Sequence, residues 1–293
     1  DDWTGKEEYY KVVNDYNAKM LSVIRATGEN NAKRLVMMPT YCAAADYAKV
    51  SAMVVPNDPN VAVSIHAYIP YNFAMNTDTT KGAYSTFGDA DKALIDKTFR
   101  LLDKTFIKKG IPVVIGEFAA ANKDNLQDRV NYAKYYAQAA ASYGMSCCWW
   151  DNNSFDVTGT DSMGLFDRKT LTWTYPEIAQ ALVDGYSNPK DVSNYDENLL
   201  FNGTATSSNW GQAVSFNYGL DFVDDDFSNK LAIAVDYTST NAPQLVLSGD
   251  QTATNWVRVS PSITKSSGTT STAYFTLNDM VSAYKKALTK YDT

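Results

Sequence analysis

The stretch PVVIGEF, residues 112–118, decides the fold, because four apolar residues beginning with proline run directly into Gly116 and Glu117. A helical pattern covers residues 89–109 before this stretch, and another covers residues 125–143 after it. A short continuous apolar run between two amphipathic helices is typical of a strand buried in a parallel sheet of α/β units. We therefore predict an α/β fold in which Glu117 lies at the carboxyl end of a central strand.

The same alternation of strand and helix fills residues 1–190. The pattern predicts strands at 34–39, 61–69, 112–118 and 145–150, and helices at about 6–26, 43–52, 89–109, 125–143 and 175–185. In the first helix, the spacing of three and four is expected to turn one apolar face inward, formed by Val13, Tyr16, Met20 and Val23. Four strands and five helices fit a half-length open sheet or a piece of an eightfold barrel, and the pattern leaves both open.

Composition and charge exclude several classes of function. The net charge is −7 and no run is rich in Lys or Arg, so we expect no nucleic-acid partner. No apolar stretch approaches the roughly 20 residues of a membrane helix, so we expect no membrane partner. One histidine and three cysteines argue against a structural metal site, and we expect no metal and no cofactor. The 20 tyrosines suit the apolar faces of sugars, although an aromatic-rich core would explain them too.

The sequence changes character near residues 187–190. Ser and Thr make up 26 of the last 103 residues, and short alternating runs separated by turn-like clusters are typical of a β-sandwich. A closing amphipathic helix is expected over 278–290, with Met280, Val281, Tyr284 and Leu288 inward. We predict three parts: an α/β domain at 1–187, a linker at 188–196 and a β-sandwich at 197–293.

Three predicted strand ends carry side chains that could take part in catalysis or binding. Glu117 follows an apolar run, where it is either a nucleophile or base, or a rim glutamate paired with an arginine. His66 and Tyr68 alternate along one strand and therefore face the same side, and Tyr71 follows in the next loop.

The last strand ends in two adjacent tryptophans, Trp149 and Trp150, followed by Asp151 and Asn152. One indole must face the helices and the other the mouth of the sheet, unless both belong to the core. A ring at the mouth would form a platform for a sugar. Together these strand ends predict a carbohydrate cleft.

These segments resemble glycoside hydrolase family 5, in particular its endo-β-1,4-glucanases. The resemblance rests on the following stretches, in order: 13–17 (VNDYN), 25–28 (RATG), 64–68 (SIHAY), 111–118 (IPVVIGEF), 149–152 (WWDN) and 171–176 (LTWTYP). It implies a (β/α)8 barrel of which this chain holds the C-terminal half, strands five to eight.

The resemblance also implies roles for individual residues. Glu117 would be the nucleophile of a retaining mechanism, and Tyr68 would hydrogen-bond it while lining the glycone site with His66. Trp150 would be the sugar platform, with Asp151 or Asn152 contacting hydroxyls and Tyr71 nearby. The substrate would be a β-1,4-glucan: cellulose, xyloglucan or mixed-linkage glucan.

The family's acid/base glutamate precedes a proline, and none of the six glutamates in this chain does so. We therefore expect the acid/base residue and the N-terminal half of the barrel to lie upstream of residue 1, as would the leader of an extracellular protein. Two alternatives stay open: a non-catalytic glycan-binding or scaffold protein, and a xyloglucanase or mannanase of the same family.

The second part resembles the carbohydrate-binding modules that accompany such enzymes. Trp210 and Trp256 are the candidates for its glycan-binding face. Trp256 lies beside Val257 and Val259, so the alternative of a core tryptophan stays open for it.

Overall fold

The computed structural model describes residues 2–157, 159, 161–192, 232–248 and 256–289. These residues belong to two compact units, an N-terminal one and a C-terminal one, and each is described by itself. Of the linker predicted at 188–196, residues 193–196 lie outside the described residues, so the three domain boundaries stay a prediction.

The N-terminal unit alternates strands and helices, as its sequence predicts. Its strands are β1 (Val36–Ala44), β2 (Val61–His66), β3 (Val113–Phe118), β4 (Ser146–Trp149), β5 (Phe166–Asp167) and β6 (Thr172–Trp173). Its helices are α1 (Glu7–Ala26), α2 (Tyr47–Ser51), α3 (Tyr71–Ala74), α4 (Asp89–Thr105), α5 (Leu126–Ser142) and α6 (Pro176–Tyr186). Short 3₁₀ turns cover Glu29–Ala32, Thr79–Lys81 and Ile107–Lys109.

The four long strands form one parallel sheet in the order β1-β2-β3-β4. Val36 pairs with Val61, Val63 with Val113, and Ile115 with Cys147. Sequential strands are therefore neighbours and each connection carries a helix, which is the arrangement of βαβ units. This sheet confirms the predicted α/β class and all four predicted strands.

One face of the sheet is covered by helices. Ile95, Phe99 and Leu102 of α4 and Tyr132 and Tyr136 of α5 are fully buried in one cluster with strand residues. The ring of Tyr136 stacks on that of Phe118 with centroids 4.0 Å apart. The apolar faces predicted for α4 and α5 thus form the main core.

The opposite face of the sheet is open in the described unit. Met37 of β1 is 54% exposed, and Ser146 and Cys148 of β4 are exposed as well. These side chains alternate with the buried ones along their strands, so the exposed set forms one surface.

The predicted inward face of α1 is wrong, because Tyr16, Met20 and Val23 are exposed. Another line of the helix meets the sheet instead. The Asn14 side-chain amide donates to the Ala52 carbonyl, the Asn17 side-chain amide donates to the Pro39 carbonyl, and Leu21 packs on Met38 and Val61. Polar side chains that bond strand and loop carbonyls fix the helix orientation more strongly than its apolar spacing does.

The C-terminal unit is antiparallel β-structure with one helix. It contains β7 (Ala232–Tyr237), β8 (Leu245–Leu247), β9 (Val257–Val259), β10 (Ile263–Ser267), β11 (Thr270–Thr276) and α7 (Leu277–Thr289). One sheet has the order β10-β11-β7, and β8 pairs with β9. The predicted β-sandwich stays a prediction, because residues 197–231 and 249–255 of its range lie outside the described residues.

The helix α7 confirms the predicted closing helix, and Met280 is buried with Val259, Ala273 and Phe275. Val281 and Tyr284, predicted inward, are exposed. Ala283 packs against the same core, and the side chain of Leu288, also predicted inward, lies outside the described residues. None of the described helices has both the length and the apolar character that crossing a membrane requires.

Candidate active site

Glu117, Tyr68 and His66 meet at the carboxyl ends of β2 and β3. The Tyr68 hydroxyl donates a hydrogen bond of 2.9 Å to Oε2 of Glu117, and Nδ1 of His66 lies 3.3 Å from the same oxygen. The Glu117 side chain is 23% exposed, so it is partly desolvated and still accessible. Burial and the neighbouring carboxylate raise the pKa of Tyr68 well above its usual range, which keeps the phenol a donor.

The backbone explains why these three side chains converge. His66 pairs with Glu117 across the β2–β3 ladder after an irregularity at Ile65, and the Ala67 amide donates to the Glu117 carbonyl. Gly116 allows a close approach of Ser64, because a Cβ at this position would lie 3.1 Å from its Oγ, whereas the His66 ring at 3.5 Å would be at ordinary contact distance.

The alternative of a rim glutamate paired with an arginine is wrong for the described part of the chain. There the partners of the Glu117 carboxylate are Tyr68 and His66, and no arginine lies within ion-pair distance of it. Both contacts are made to Oε2, so no side chain bonds Oε1 of Glu117 among the described residues.

The two adjacent tryptophans point in opposite directions, as predicted. Trp149 packs on Phe118 with ring centroids 5.5 Å apart, and its indole N–H donates to the Met163 carbonyl. Trp150 is 45% exposed, and its amide donates to the Phe118 carbonyl, next to Glu117. The exposed ring therefore belongs to the same end of the sheet as the carboxylate.

The side chains of Asp151 and Asn152 are occupied by their own loop. The Asp151 carboxylate accepts hydrogen bonds from the amides of Asn153, Leu165 and Phe166. Oδ1 of Asn152 accepts from the Ser154 and Met163 amides, and its Nδ2 donates to the Asp161 carbonyl. Contact of either residue with sugar hydroxyls stays a prediction. Their loop role was missed from sequence, although Asp-Asn-Asn-Ser is typical of turn formers.

Tyr71 begins α3 beyond Tyr68, and it is exposed. Lys123, a residue that the sequence did not single out, fixes this segment. Its ammonium donates to the carbonyls of Asn72, Phe73 and Tyr84. The loop after Glu117 is thereby tied to the loop after His66.

No group of three His, Cys, Asp or Glu side chains that could hold a metal ion occurs within the described ranges. In the C-terminal unit, Trp256 is 61% exposed while Val257 and Val259 are buried. The alternative of a core tryptophan at 256 is therefore wrong. Trp210, the other candidate, lies outside the described residues.

Two family models match the chain. The model described as cellulase (glycosyl hydrolase family 5) matches residues 1–156, and that described as carbohydrate binding module 65 domain 1 matches residues 201–293. Among curated proteins, endoglucanase A of Clostridium longisporum is 43% identical over 198 residues, which are 67% of this chain and 38% of that protein. Endoglucanase B of Clostridium cellulovorans is 41% identical over 198 residues, 67% of this chain and 45% of that protein.

Solved structures agree with these matches. A broad-specificity GH5-4 endoglucanase from Clostridium cellulovorans is 64% identical, with a TM-score of 0.61 over 64% of this chain and 54% of that chain. A GH5-4 endoglucanase from Ruminococcus champanellensis with bound cellotriose is 42% identical, with a TM-score of 0.57 over 61% of this chain and 51% of that chain.

The chain thus spans less than half of the curated relatives named above and about half of these solved chains. Over that shared part, its parallel sheet and covering helices follow the (β/α)8 fold of its neighbours. Since the family model covers more than half of its residues, the chain belongs to glycosyl hydrolase family 5, the cellulase family.

Proposed function

We propose that this chain is the part of a secreted, retaining endo-β-1,4-glucanase that carries the nucleophile. The observation that supports this most directly is the Glu117 carboxylate, held by Tyr68 and His66 at the open carboxyl end of the sheet. In α/β barrels, the catalytic groups lie at this end.

In this proposal, Glu117 attacks the anomeric carbon of a β-linked glucose while the bond to the leaving oxygen breaks. A glycosyl-enzyme ester forms, and water then hydrolyses it with retention of configuration. Tyr68 and His66 orient the carboxylate so that the oxygen not bound to Tyr68 faces the sugar. Trp150 packs against the apolar face of a glucose ring.

The mechanism needs a second carboxyl group about 5–5.5 Å away to protonate the leaving oxygen. The other described glutamates lie in helical segments: Glu7 and Glu8 begin α1, Glu29 begins a 3₁₀ turn, and Glu177 is in the first turn of α6. We therefore infer that the acid/base residue comes from the N-terminal half of the barrel. The open sheet face, with exposed Met37, supports a surface that this half would cover.

The proposed substrate is a β-1,4-glucan. The relatives are named endoglucanases, one neighbour holds cellotriose, and another is a lichenase complex with cellotetraose. These names favour an unbranched stretch of glucose units and leave cellulose, xyloglucan and mixed-linkage glucan as the candidates.

A fluorosugar tests the nucleophile. The chain would be co-expressed with the part of the Clostridium cellulovorans structure that it does not cover, to complete the barrel, and incubated with 2,4-dinitrophenyl 2-deoxy-2-fluoro-β-cellobioside. Dinitrophenolate leaves without protonation, so labelling does not depend on the acid/base residue. We expect one fluorocellobiosyl group on the peptide that contains Glu117, and none in Glu117→Gln. Labelling of another residue would reject the assignment.

For the C-terminal unit, we propose binding of the same glucan through Trp256 and Trp210. The exposure of Trp256 supports this role. Trp256→Ala and Trp210→Ala are expected to lower retention on glucan-containing gels, whereas Tyr284→Ala, which removes an exposed ring from α7, is the matched control. Unchanged retention of both tryptophan variants would reject the platform.

A further inference from the structure

The loop that follows Trp150 folds back onto Asp151, the residue next to Trp150. The strands β5 and β6 form a hairpin with Phe166 opposite Trp173 and Asp167 opposite Thr172. This hairpin lies 15 or more residues along the chain from Asp151, yet its first residue bonds the Asp151 side chain.

The Asp151 carboxylate accepts hydrogen bonds from three backbone amides of this loop. Oδ1 accepts from Asn153 at 3.2 Å and from Leu165 at 3.1 Å, while Oδ2 accepts from Phe166 at 3.2 Å. The side chain is 22% exposed, so it is largely shielded from water. Both carboxylate oxygens are thus used by the protein itself.

The guanidinium of Arg168, in the hairpin, makes two further contacts with Asp151. Its Nη2 donates to the Asp151 carbonyl at 2.8 Å, and its Nη1 lies 3.7 Å from Oδ1. The Arg168 amide also donates to Oδ1 of Asn153. The Arg168 guanidinium therefore bonds the backbone carbonyl of Asp151. Through this bond, the hairpin is attached to the backbone next to Trp150.

We propose that Asp151 is a positioning residue for Trp150, acting through the hairpin 166–173 and Arg168. The inference rests on the proposed role of Trp150 as a sugar platform, and it reassigns Asp151 from contact with the sugar to orientation of the platform. The indole of Trp150 is exposed, so its direction depends on its backbone, which is fixed by the Phe118 carbonyl on one side and by Asp151 on the other.

The test uses the full chain with 5-fluorotryptophan incorporated. The chain has six tryptophans, and Trp150→Phe identifies the ¹⁹F resonance of Trp150. Asp151→Asn keeps the shape but replaces one acceptor oxygen by a donor group, and Arg168→Met removes the guanidinium. In both variants without ligand, the Trp150 resonance is expected to shift or broaden. Arg168→Lys is expected to restore part of the wild-type signal.

Asp167→Asn is the matched control. The Asp167 carboxylate accepts from the Lys169 and Thr170 amides inside the hairpin turn and does not contact Asp151. Its loss should leave the Trp150 resonance in place. If Asp151→Asn fails to fold, which the dispersion of the other five resonances reports, Arg168→Met decides, because it leaves the three amide contacts of the carboxylate intact.

A titration with cellotriose distinguishes failure of this inference from failure of the proposed function. In the completed barrel, the change of the Trp150 resonance with cellotriose concentration measures binding at this ring separately from the C-terminal unit. In Asp151→Asn, we expect this binding to be weakened by about tenfold, the effect of one charge-assisted hydrogen bond. If wild type shows no cellotriose-dependent change at Trp150, the platform role fails, while the ligand-free spectra still report on positioning. A ligand-free Trp150 resonance identical in wild type, Asp151→Asn and Arg168→Met would overturn the inference, with or without an effect on binding.

Discussion

The hydroxyl of Tyr68 lies 2.9 Å from Oε2 of Glu117, although 49 residues separate them in the sequence. The parallel pairing of β2 with β3 brings them together, since both residues lie at or beyond the carboxyl ends of neighbouring strands. The phenol fixes one carboxylate oxygen and leaves the other free. This contact is the basis of the first prediction.

Tyr68→Phe should slow the reaction of Glu117 with the fluorocellobioside in the completed barrel by about 10- to 100-fold. A hydrogen bond to a charged group contributes about 1.5–3 kcal/mol, which corresponds to that range of rates. The rate of dinitrophenolate release measures it. Tyr186→Phe is the control, because Tyr186 is exposed on α6 and has no role in the proposed site. Equal rates for the two variants would contradict the role of Tyr68.

Gly116→Ala should displace the Ser64 side chain and thereby change the surroundings of the His66 imidazole. The new Cβ would lie 3.1 Å from Oγ of Ser64 and 3.5 Å from the imidazole, which is tighter than ordinary packing for the first contact. His66 is the single histidine of the chain, so its imidazole NMR signals identify themselves. We expect these signals to shift in Gly116→Ala and to return toward wild type in the double variant with Ser64→Ala. Unshifted signals in the single variant would show that the glycine is not needed here.

The sequence predicts the sheet well because buried parallel strands carry nearly continuous apolar runs. Strand periodicity also predicts that His66 and Tyr68 face one side, whereas the contact of Tyr68 with Glu117 is expected from the family resemblance. It fails for α1, where Asn14 and Asn17 bond distant carbonyls and override the apolar spacing of Tyr16. Partners that lie far along the chain cannot be read from a helical period.

The same limit explains the loop residues. Asp151 and Lys123 bond backbone groups of other residues. Backbone amides and carbonyls are nearly the same in every residue, so such partners cannot be identified from the residue types in the sequence. The sequence alone shows that Asp151 follows two tryptophans. This position is compatible with contact to a sugar as well as with hydrogen bonds inside the loop. Only the folded loop distinguishes a side chain that is bonded internally from one that is available to a ligand.

Lys123→Met should destabilise the N-terminal unit by about 1–3 kcal/mol, the range for buried polar groups that lose their partner. The variant leaves the carbonyls of Asn72, Phe73 and Tyr84 without the ammonium. Urea unfolding measures the loss. Lys81→Met is the matched control, because this lysine lies in the loop after His66 that Lys123 bonds, and its side chain is 79% exposed. A loss no larger than that of the control would show that the three bonds contribute little.

Tyr143→Phe should make the N-terminal unit more resistant to alkaline pH. Burial raises the pKa of Tyr143 to about 12, whereas an unfolded tyrosine has its ordinary value of 10.0. Between these values the folded chain keeps a proton that the unfolded chain has lost. Stability therefore falls as pH rises, by about 1.4 kcal/mol per pH unit for this group.

Phenylalanine has no such proton and keeps the edge-on contact with the Phe99 ring, whose centroid lies 6.5 Å from that of Tyr143. Other buried tyrosines contribute equally to both proteins and cancel in the comparison. The free energy of unfolding of the variant, relative to wild type, should therefore rise by about 1 kcal/mol between pH 9.5 and pH 11, and stay constant between pH 7 and pH 9. Urea titrations at these pH values measure it. A difference that does not change up to pH 11 would mean that the Tyr143 phenol titrates alike in the folded and unfolded chain.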